Sequence, residues 1–264
     1  MKARSDRETA LAYGWHSVTT MLRVAPQRIV QLHVAVERKS DARVQGLIQK
    51  AEAACVPVAW VDRASLTKLA GHGHHQGIVA TLDPDVQTIT LDAVLPNSAD
   101  YPNPVGRQLL TPPLYLVLDG VTDPHNLGAC LRTADAAGVR AVIVPKDRSV
   151  GITPVVRKVA SGAAETVPVV FVTNLARALE QLKASGIWVV GLAGEGDQWL
   201  LACDLSGPLA LVLGAEGEGL RQLTRERCDL LARLPMLGVV ESLNVSVAAG
   251  VALYEVVRRR FPVR

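Results

Sequence analysis

Apolar and polar residues alternate in blocks along the chain, and these blocks predict its strands and helices. In the first third, the predicted strands cover 28–36, 56–60 and 77–82. The predicted helices cover 41–54 and 65–69, with Ser65 as a capping residue. This alternation predicts a small α/β domain in which helices pack against a sheet.

From residue 114 onward the alternation returns in longer units. Residues 114–118 form a continuous apolar run, as is typical of a parallel strand that is buried on both faces. Further strands are predicted at 141–144, 167–171, 187–190 and 209–213. Helices are predicted to about Ala137 and near 154–163, 174–185 and 217–228. The pattern predicts an open, mostly parallel α/β sheet, in which ligands bind beyond the carboxyl ends of the strands.

Prolines are concentrated between the two regions. The segment 83–113 contains Pro84, Pro96, Pro102, Pro104, Pro112 and Pro113, a composition typical of a linker. Only 86–95 is apolar enough to form one short helix or strand. The chain is therefore predicted to consist of a domain over 1–84, a linker over 85–108 and a second domain over 109–264.

The positive charge lies in the first domain. Residues 1–84 contain 11 Lys or Arg against 7 Asp or Glu, whereas residues 85–264 contain 17 against 18. This imbalance favours a polyanionic partner for the first domain.

Other sequence features predict a cytoplasmic protein without a membrane segment. Apolar runs fall short of the roughly 20 residues of a membrane helix, and the N-terminus does not have the apolar stretch of a signal peptide. The four cysteines are scattered without a CxxC pair, which argues against a disulfide framework or a structural zinc site. His72, His74 and His75 have no cysteine or carboxylate nearby to complete a metal site, so we expect no metal and a loop that contacts RNA or water.

The junction before the last predicted helix is unusually polar. Val247, Val251 and Tyr254 recur at helical spacing and predict a buried helix face. Just upstream, Ser242 or Asn244 is suited to cap that helix. Polar groups at the edge of a core need partners, and a ligand can be one of them. From this stretch alone, an ordinary helix cap and a ligand site remain equally open.

A second polar segment follows the strand at 114–118. Asp123 is typical of a helix start and Gly138 of a helix stop. Between them, Asn126 lies in the first turn and Arg132 lies off the apolar stripe. From the residues alone, Asn126 fits a cap and Arg132 a solvated surface position.

A glycine-rich turn follows the strand at 209–213. Its spacing is GxxGxG, not the GxGxxG that holds a dinucleotide pyrophosphate, and Glu216 and Glu218 would repel phosphate. A cationic or neutral cofactor suits this loop better. S-adenosylmethionine, which carries a sulfonium, is one such molecule.

Three segments of the chain together resemble one protein family. The sequences DPHNLGACLRTADAAG at 123–138, LVLGAEGEGL at 211–220 and LPMLGVVESLNVSVAAG at 234–250 have the order and separation seen in the SpoU/TrmH family of RNA ribose 2′-O-methyltransferases. The resemblance covers roughly residues 110–260. Upstream, 13–18 and 71–79 are similar to the N-terminal domain of a subgroup that includes the enzyme methylating a guanosine ribose in large-subunit ribosomal RNA.

The resemblance implies a fold, a cofactor and an assembly. The second domain would contain a deep trefoil knot that holds S-adenosylmethionine. By position, the cofactor contacts would be Gly214, Ala215, Leu234, Met236 and Leu243. The protein would form a homodimer through this domain, and its last helix would bury Val247, Val251 and Tyr254 in the interface.

The resemblance also implies a catalytic set: Asn126, Arg132, Glu216, Ser242 and Asn244. Methyl transfer from a sulfonium is an in-line displacement in which positioning supplies much of the rate, and the attacking hydroxyl must lose its proton. A guanidinium has a pKa above roughly 12 and no acceptor atom, so we assign Arg132 an electrostatic role instead of that of a base. The other four side chains would orient Arg132 and the ribose.

The sequence thus predicts a dimeric, S-adenosylmethionine-dependent methyltransferase that modifies ribosomal RNA. The first domain and the cleft would bind the RNA, and the knotted domain would carry out the transfer. The same chemistry on transfer RNA is the first alternative, and a non-catalytic RNA-binding protein is the second. A nucleotide-dependent oxidoreductase fits poorly because the glycine spacing differs.

Overall fold

A computed structural model describes residues 10–83, 89–96, 98 and 106–261. The chain divides into two compact units: the first comprises residues 1–87 and 152–165, and the second comprises 88–151 and 166–264. The N-terminal residues 1–9, which are predicted not to be a signal peptide, lie outside the described residues. Half of the predicted linker at 85–108 lies outside them as well.

The first unit is built on a four-stranded sheet. In chain order its elements are β1 (Ala10–Tyr13), α1 (Trp15–Val24), β2 (Ile29–Ala35), α2 (Ala42–Ala53), β3 (Val58–Val61), α3 (Arg63–Ala70) and β4 (Ile78–Leu82). The strand order is β1-β4-β2-β3. Strands β2 and β3 are parallel, and the other two pairs are antiparallel. The predicted small α/β domain is confirmed.

Local capping explains where the helices of this unit begin. Asp41 accepts a hydrogen bond from the Arg43 N–H (2.9 Å) at the start of α2. Asp62 caps α3 by accepting from the Ser65 N–H (2.9 Å). The prediction that Ser65 caps this helix is therefore wrong: Ser65 lies inside α3 and donates to the true cap.

Strand β1 and helix α1 have no counterpart among the predicted elements. The strand has only four residues, too few to show a period. The helix follows Gly14, which has no side chain to cap it. Its first N–H, that of Trp15, donates instead to the Gln76 side chain (2.8 Å) from a distant turn. No local sequence signal marks such a start.

The remaining elements begin inside the predicted linker. They are α4 (Leu91–Val94), β5 (Leu114–Asp119), α5 (Pro124–Ala136), β6 (Ala141–Pro145), α6 (Pro154–Ala160), α7 (Ala163–Thr166), β7 (Val169–Val172), α8 (Leu175–Ala184), β8 (Trp188–Leu192), β9 (Gln198–Trp199), β10 (Leu209–Gly214), α9 (Gln222–Arg227), β11 (Leu230–Arg233) and α10 (Val245–Arg260). Helix α4 belongs to the core of the second unit, where the Tyr115 hydroxyl donates to the Val94 carbonyl (2.7 Å). Helix α6 belongs to the first unit.

The second unit contains a seven-stranded sheet in the order β7-β6-β5-β10-β8-β11-β9. Each of its strand pairs is parallel, so the predicted parallel α/β sheet is confirmed. Strand β10 lies between β5 and β8, and its last residue, Gly214, pairs with Asp119 at the end of β5. The carboxyl ends of the central strands therefore meet at one edge.

Two predicted helices are shorter than expected. The one predicted near 217–228 begins only at Gln222, because the preceding glycine-rich turn is not helical. The one predicted near 154–163 ends at Ala160, where Ser161 and Gly162 adopt positive φ angles of 52° and 99°.

The last helix packs on a different face from the one predicted. The residues that face the core are Val245, Ala249, Ala252, Leu253 and Val256. Val247, Val251 and Tyr254 remain 50%, 44% and 50% exposed. These three residues are therefore not buried within the single chain, and their burial in a dimer interface stays a prediction. The apolar pattern of the sequence did not indicate this buried face, because two of its five residues are alanines.

Across the described ranges, we find no helix with both the length and the apolar composition to cross a bilayer.

Candidate active site

A cavity of about 500 Å³ opens in the second unit beyond the carboxyl ends of its central strands. Its walls come from the ends of β8 and β10, the turn after β10, and the segment between β11 and α10. The five predicted cofactor residues all line it: Gly214, Ala215, Leu234, Met236 and Leu243. The predicted catalytic residues Glu216 and Ser242 line it too.

The turn after β10 is folded back on itself so tightly that glycine is required. A Cβ atom on Gly214 would lie 2.0 Å from the backbone carbonyl carbon of Gly219. The Gly219 N–H donates to the Ala215 carbonyl (3.0 Å), which closes the turn. Gly217 and Gly219 have φ angles of 80° and 66°, which favour glycine. The turn therefore presents its backbone directly to the cavity.

Asp119 and Arg221 hold the exit of this turn. The Asp119 side chain is fully buried at the end of β5. It accepts from the backbone N–H of Arg221 (3.0 Å) and from the guanidinium Nε of the same residue (2.5 Å). This pair was not predicted from the sequence. Its one signal was a carboxylate directly after a buried strand, which needs a partner.

Three of the predicted catalytic side chains form one hydrogen-bond network. Glu216 Oε1 accepts from Asn126 Nδ2 (3.2 Å) and from Asn244 Nδ2 (2.5 Å). Asn244 Nδ2 also donates to Asn126 Oδ1 (2.9 Å). The backbone N–H of Val245 approaches the same carboxylate oxygen at 3.4 Å. Asn126 is thus hydrogen-bonded at the rim of the cavity to Glu216 and Asn244, which lie 90 and 118 positions away in the sequence.

Asn244 contributes to this network and also caps α10. Its Oδ1 accepts from the backbone N–H of Ser246 (2.9 Å), while its amide nitrogen faces Glu216 and Asn126. The predicted choice of cap, Ser242 or Asn244, is thereby resolved in favour of Asn244. Capping fixes the side-chain rotamer and so aims the amide donor.

Arg132 lies apart from this network within one chain. It is exposed on α5, about a third of a turn around the helix from Asn126. Among the residues that the structure describes, Arg132 makes no hydrogen bond or ion pair.

In the same helix, Cys130 is fully buried, and burial raises the pKa of its thiol to about 12. Cys130 is therefore not a nucleophile.

The cavity lining is acidic. It contains Glu195, Glu216, Glu218 and Glu241 but one basic residue, Arg225. Arg225 is already paired with Glu195. The lining therefore retains an excess of negative charge, which favours a cationic ligand and disfavours a phosphate-rich one.

The histidines in the segment 71–77 of the first unit differ in burial. His75 is fully buried: its Nδ1 accepts from the Gly77 N–H (3.1 Å), and its Nε2 pairs with the Thr67 hydroxyl (3.1 Å). Burial lowers its pKa. The contact with RNA or water was predicted for the loop; the buried His75 ring takes no part in such a contact, because it holds the turn before β4. His74 is exposed.

Comparisons with known proteins match both units. Residues 113–254 match the SpoU rRNA methylase family, and residues 11–87 match the RNA 2′-O ribose methyltransferase substrate-binding family. A Pseudomonas aeruginosa protein named 23S rRNA (guanosine-2′-O-)-methyltransferase RlmB is 54% identical over 252 residues, which cover 95% of this chain and 96% of that protein. The protein of the same name from Ralstonia nicotianae is 52% identical over 96% of this chain and 97% of its own.

A solved structure has the same fold. The SpoU methyltransferase AviRb from Streptomyces viridochromogenes, crystallised with AdoMet, aligns with a TM-score of 0.77 at 23% identity. The alignment covers 97% of this chain and 94% of that one. The family resemblance predicted from the three segments is confirmed. The chain belongs to the SpoU rRNA methylase family.

Proposed function

We propose that this protein transfers a methyl group from S-adenosylmethionine to the ribose 2′-hydroxyl of a guanosine in 23S ribosomal RNA. The observation that carries the proposal is the Asn126–Glu216–Asn244 network at the rim of an acidic cavity. The matched relatives support the substrate, since they are named for this reaction and align over both units.

The cavity fits the cofactor. Its acidic lining complements a sulfonium and an ammonium group, and the glycine-rich turn offers backbone groups to an adenosine. The residues that would hold S-adenosylmethionine are Gly214, Ala215, Leu234, Met236 and Leu243. S-adenosylmethionine supplies an electrophilic methyl group on its sulfonium.

The reaction forms a C–O bond at the ribose 2′ oxygen as the S–C bond breaks, and the hydroxyl proton departs. Asn126, Glu216 and Asn244 position the ribose, because their mutual hydrogen bonds hold each side chain in one rotamer. Ser242, on the cavity wall, adds a hydroxyl that can bind the same sugar. Positioning of this kind is the main contribution a protein makes to an in-line displacement.

Arg132 would lower the pKa of the ribose hydroxyl or hold the adjacent phosphate. Within one chain, Arg132 is exposed on α5 and makes no hydrogen bond to the network. It can take this role only if another molecule, the RNA or a second copy of the protein, brings it beside the reacting ribose. We propose that the protein is a homodimer through the second unit. The exposed apolar stripe of α10 supports this proposal, since Val247, Val251 and Tyr254 would be buried by a second copy.

The finer assignments are proposals of the same kind. The domain at 1–84 would bind RNA and the domain at 109–264 would contain the trefoil knot, with 85–108 between them. The enzyme would act in the cytoplasm. Transfer RNA is the less favoured substrate, because the relatives that align with both units are named for 23S rRNA. A non-catalytic role is disfavoured by the intact network.

The proposal is tested by incubating the full chain with S-adenosylmethionine labelled in its methyl group and with ribosomal or transfer RNA. We expect label in 23S RNA at one guanosine, mapped as a phosphodiester that resists alkaline cleavage. Label confined to transfer RNA would establish the alternative substrate. Absence of label from all RNA, including that of immature ribosomal particles, would refute the enzyme assignment.

Two variants test the site. Arg132→Ala should abolish transfer and leave cofactor affinity within about twofold, because Arg132 lies outside the cavity lining.

Asn244→Asp retains an oxygen that caps α10 but places a second carboxylate 2.5 Å from Glu216. We expect this variant to lose about 10²-fold or more in kcat/KM with little change in Tm. Asn244→Ser keeps a cap and adds no charge but also removes the Nδ2 donor, so a larger loss in Asn244→Asp than in Asn244→Ser reports the effect of the added carboxylate. A wild-type rate in either Arg132→Ala or Asn244→Asp would contradict the role assigned to that residue.

A further inference from the structure

A second pocket lies in the first unit, far along the sequence from the residues of the active site. It has a volume of about 270 Å³ and is lined by Trp15, His16, Arg38, Arg43 and Gln76. These residues come from the start of α1, the turn after β2, the start of α2 and the turn before β4. Four separate segments therefore converge on one aromatic ring.

Hydrogen bonds hold the pocket in shape. Gln76 accepts from the Trp15 backbone N–H through its side-chain oxygen (2.8 Å). Arg38 donates from Nη1 to the Gln76 carbonyl (2.7 Å) and from Nη2 to Asp41 Oδ2 (2.5 Å). Arg38 is thus fixed and partly neutralised by Asp41. The pocket is formed before any ligand binds.

Arg43 is the second cation that lines this pocket. Its guanidinium carbon lies 4.8 Å from the centroid of the Trp15 ring, and that of Arg38 lies 5.8 Å away. The Arg43 side chain is exposed and has no hydrogen bond or ion pair with any described residue. The nearby carboxylate of Asp41 is engaged by Arg38 and by the first backbone N–H groups of α2.

A second aromatic and cationic pair flanks the same turn. The Lys39 ammonium lies 5.4 Å from the centroid of the Trp60 ring. Lys39 directly follows Arg38, so the turn carries a cation toward each of two tryptophans. Alternating aromatic rings and cations are the groups that bind single-stranded nucleic acid, through stacking on bases and attraction to phosphates.

We infer that the Trp15 pocket binds one nucleotide of an unpaired segment of the RNA substrate. The base stacks on the Trp15 ring or the Arg43 guanidinium plane, and its phosphate contacts Arg43. The volume lies just below that of typical small-molecule sites and suits a single nucleotide. Bases inside an A-form duplex are not available to such a pocket, whereas loops and bulges expose theirs. This inference rests on the proposed function, because that function makes RNA the ligand.

The test measures binding of a fluorescein-labelled single-stranded RNA of about 12 nucleotides to the full chain by anisotropy, over a range of salt concentrations. Arg43→Ala should weaken binding about tenfold and reduce the salt slope by about 0.7, the contribution of one phosphate contact on a single strand. Arg43→Lys should restore the salt slope but only part of the affinity, because it lacks the planar group.

Arg23→Ala is the matched control, since Arg23 is an exposed arginine on α1 whose removal changes the net charge equally. It should change the affinity less than twofold. Equal loss in the Arg23 and Arg43 variants would overturn the site in favour of a diffuse charge effect. Unchanged affinity in Arg43→Ala would also overturn it. Binding of polyglutamate as tight as that of RNA would indicate an acidic protein partner and overturn the nucleotide assignment.

Photo-crosslinking locates the contact. RNA containing 4-thiouridine should crosslink to the peptide that includes Trp15, and failure to do so while RNA is bound would refute the inference. The outcome is separable from the proposed function. A wild-type protein that transfers methyl groups while Arg43→Ala binds normally would refute only the pocket. A wild-type protein that binds RNA through this pocket without transferring methyl groups would refute only the enzyme assignment.

Discussion

Replacement of Gly214 by alanine is the most direct test of how the cavity is built. The added Cβ would lie 2.0 Å from the Gly219 carbonyl carbon and 2.3 Å from the Leu220 nitrogen, whereas ordinary contact begins at 3.4 Å. Both neighbours are backbone atoms, so no side chain can rotate away. The turn would have to move away by about 1.4 Å, because the Gly219 carbonyl carbon is at 2.0 Å and ordinary contact begins at 3.4 Å.

Such a retreat affects stability and function together. Overpacking of this severity costs about 2 kcal/mol, which lowers Tm by about 4–8 °C in a chain of this size. It would also displace Glu216, two residues along, from Asn126 and Asn244. Because a misplacement of about 1 Å can cost 10²-fold, we expect a loss of that order in methyl transfer. We expect cofactor affinity to fall as well, since the turn forms one wall of the cavity.

Differential scanning fluorimetry measures Tm, and isothermal titration calorimetry measures cofactor affinity. Gly207→Ala is the matched control, because a Cβ at Gly207 meets no atom within 4 Å and the residue is distant from the cavity lining. It should behave as wild type. A Gly214→Ala protein with wild-type Tm and wild-type cofactor affinity would show that the turn tolerates a side chain, and the steric argument would fail.

Two further predictions concern stability. Glu165 is buried against Arg28 and Arg157, so Glu165→Gln should lower the free energy of unfolding by about 3 kcal/mol in urea titrations. In contrast, Glu180→Gln, which breaks a largely exposed ion pair, should cost less than about 1 kcal/mol; equal losses would contradict the burial argument. Hydrogen bonds from two arginines lower the pKa of Glu255 from 4.5 to about 2, so its stabilisation is present above pH 4.5 and is lost as the pH falls toward 2. Tm should therefore fall less steeply over this range in Glu255→Gln than in wild type, and parallel Tm curves would refute the linkage.

Strong periodic signals led to correct elements. The uninterrupted apolar runs of β5 and β10 predicted buried parallel strands, and both strands are buried along almost their whole length. Asp123 and Gly138 marked the two ends of α5, and the helix spans Pro124–Ala136 between them. In each of these cases the information lies within a few residues, because burial on both faces and helix capping act locally.

Errors arose where a distant residue determined the outcome. The start of α1 is set by Gln76, whose side-chain oxygen accepts a hydrogen bond from the Trp15 N–H. The two residues lie 61 positions apart in the sequence. The buried face of α10 follows small residues such as Ala249 and Ala252, because they allow the helix to pack closely on its neighbours. Neither choice is visible in a window of a few residues.

The candidate site divides in the same way. The sequence by itself determined its components: the glycine-rich turn, the polar junction before α10 and the carboxylates that favour a cationic cofactor. Only the tertiary structure decided that Glu216 accepts from both Asn126 and Asn244, that Asp119 anchors the turn through Arg221, and that Arg132 stands apart within one chain. The physical reason is that a parallel sheet brings the carboxyl ends of distant strands to one edge. The sequence gives the chemical character of each residue directly. Which residues come into contact depends on the order of the strands in the sheet, and the sequence pattern does not encode that order.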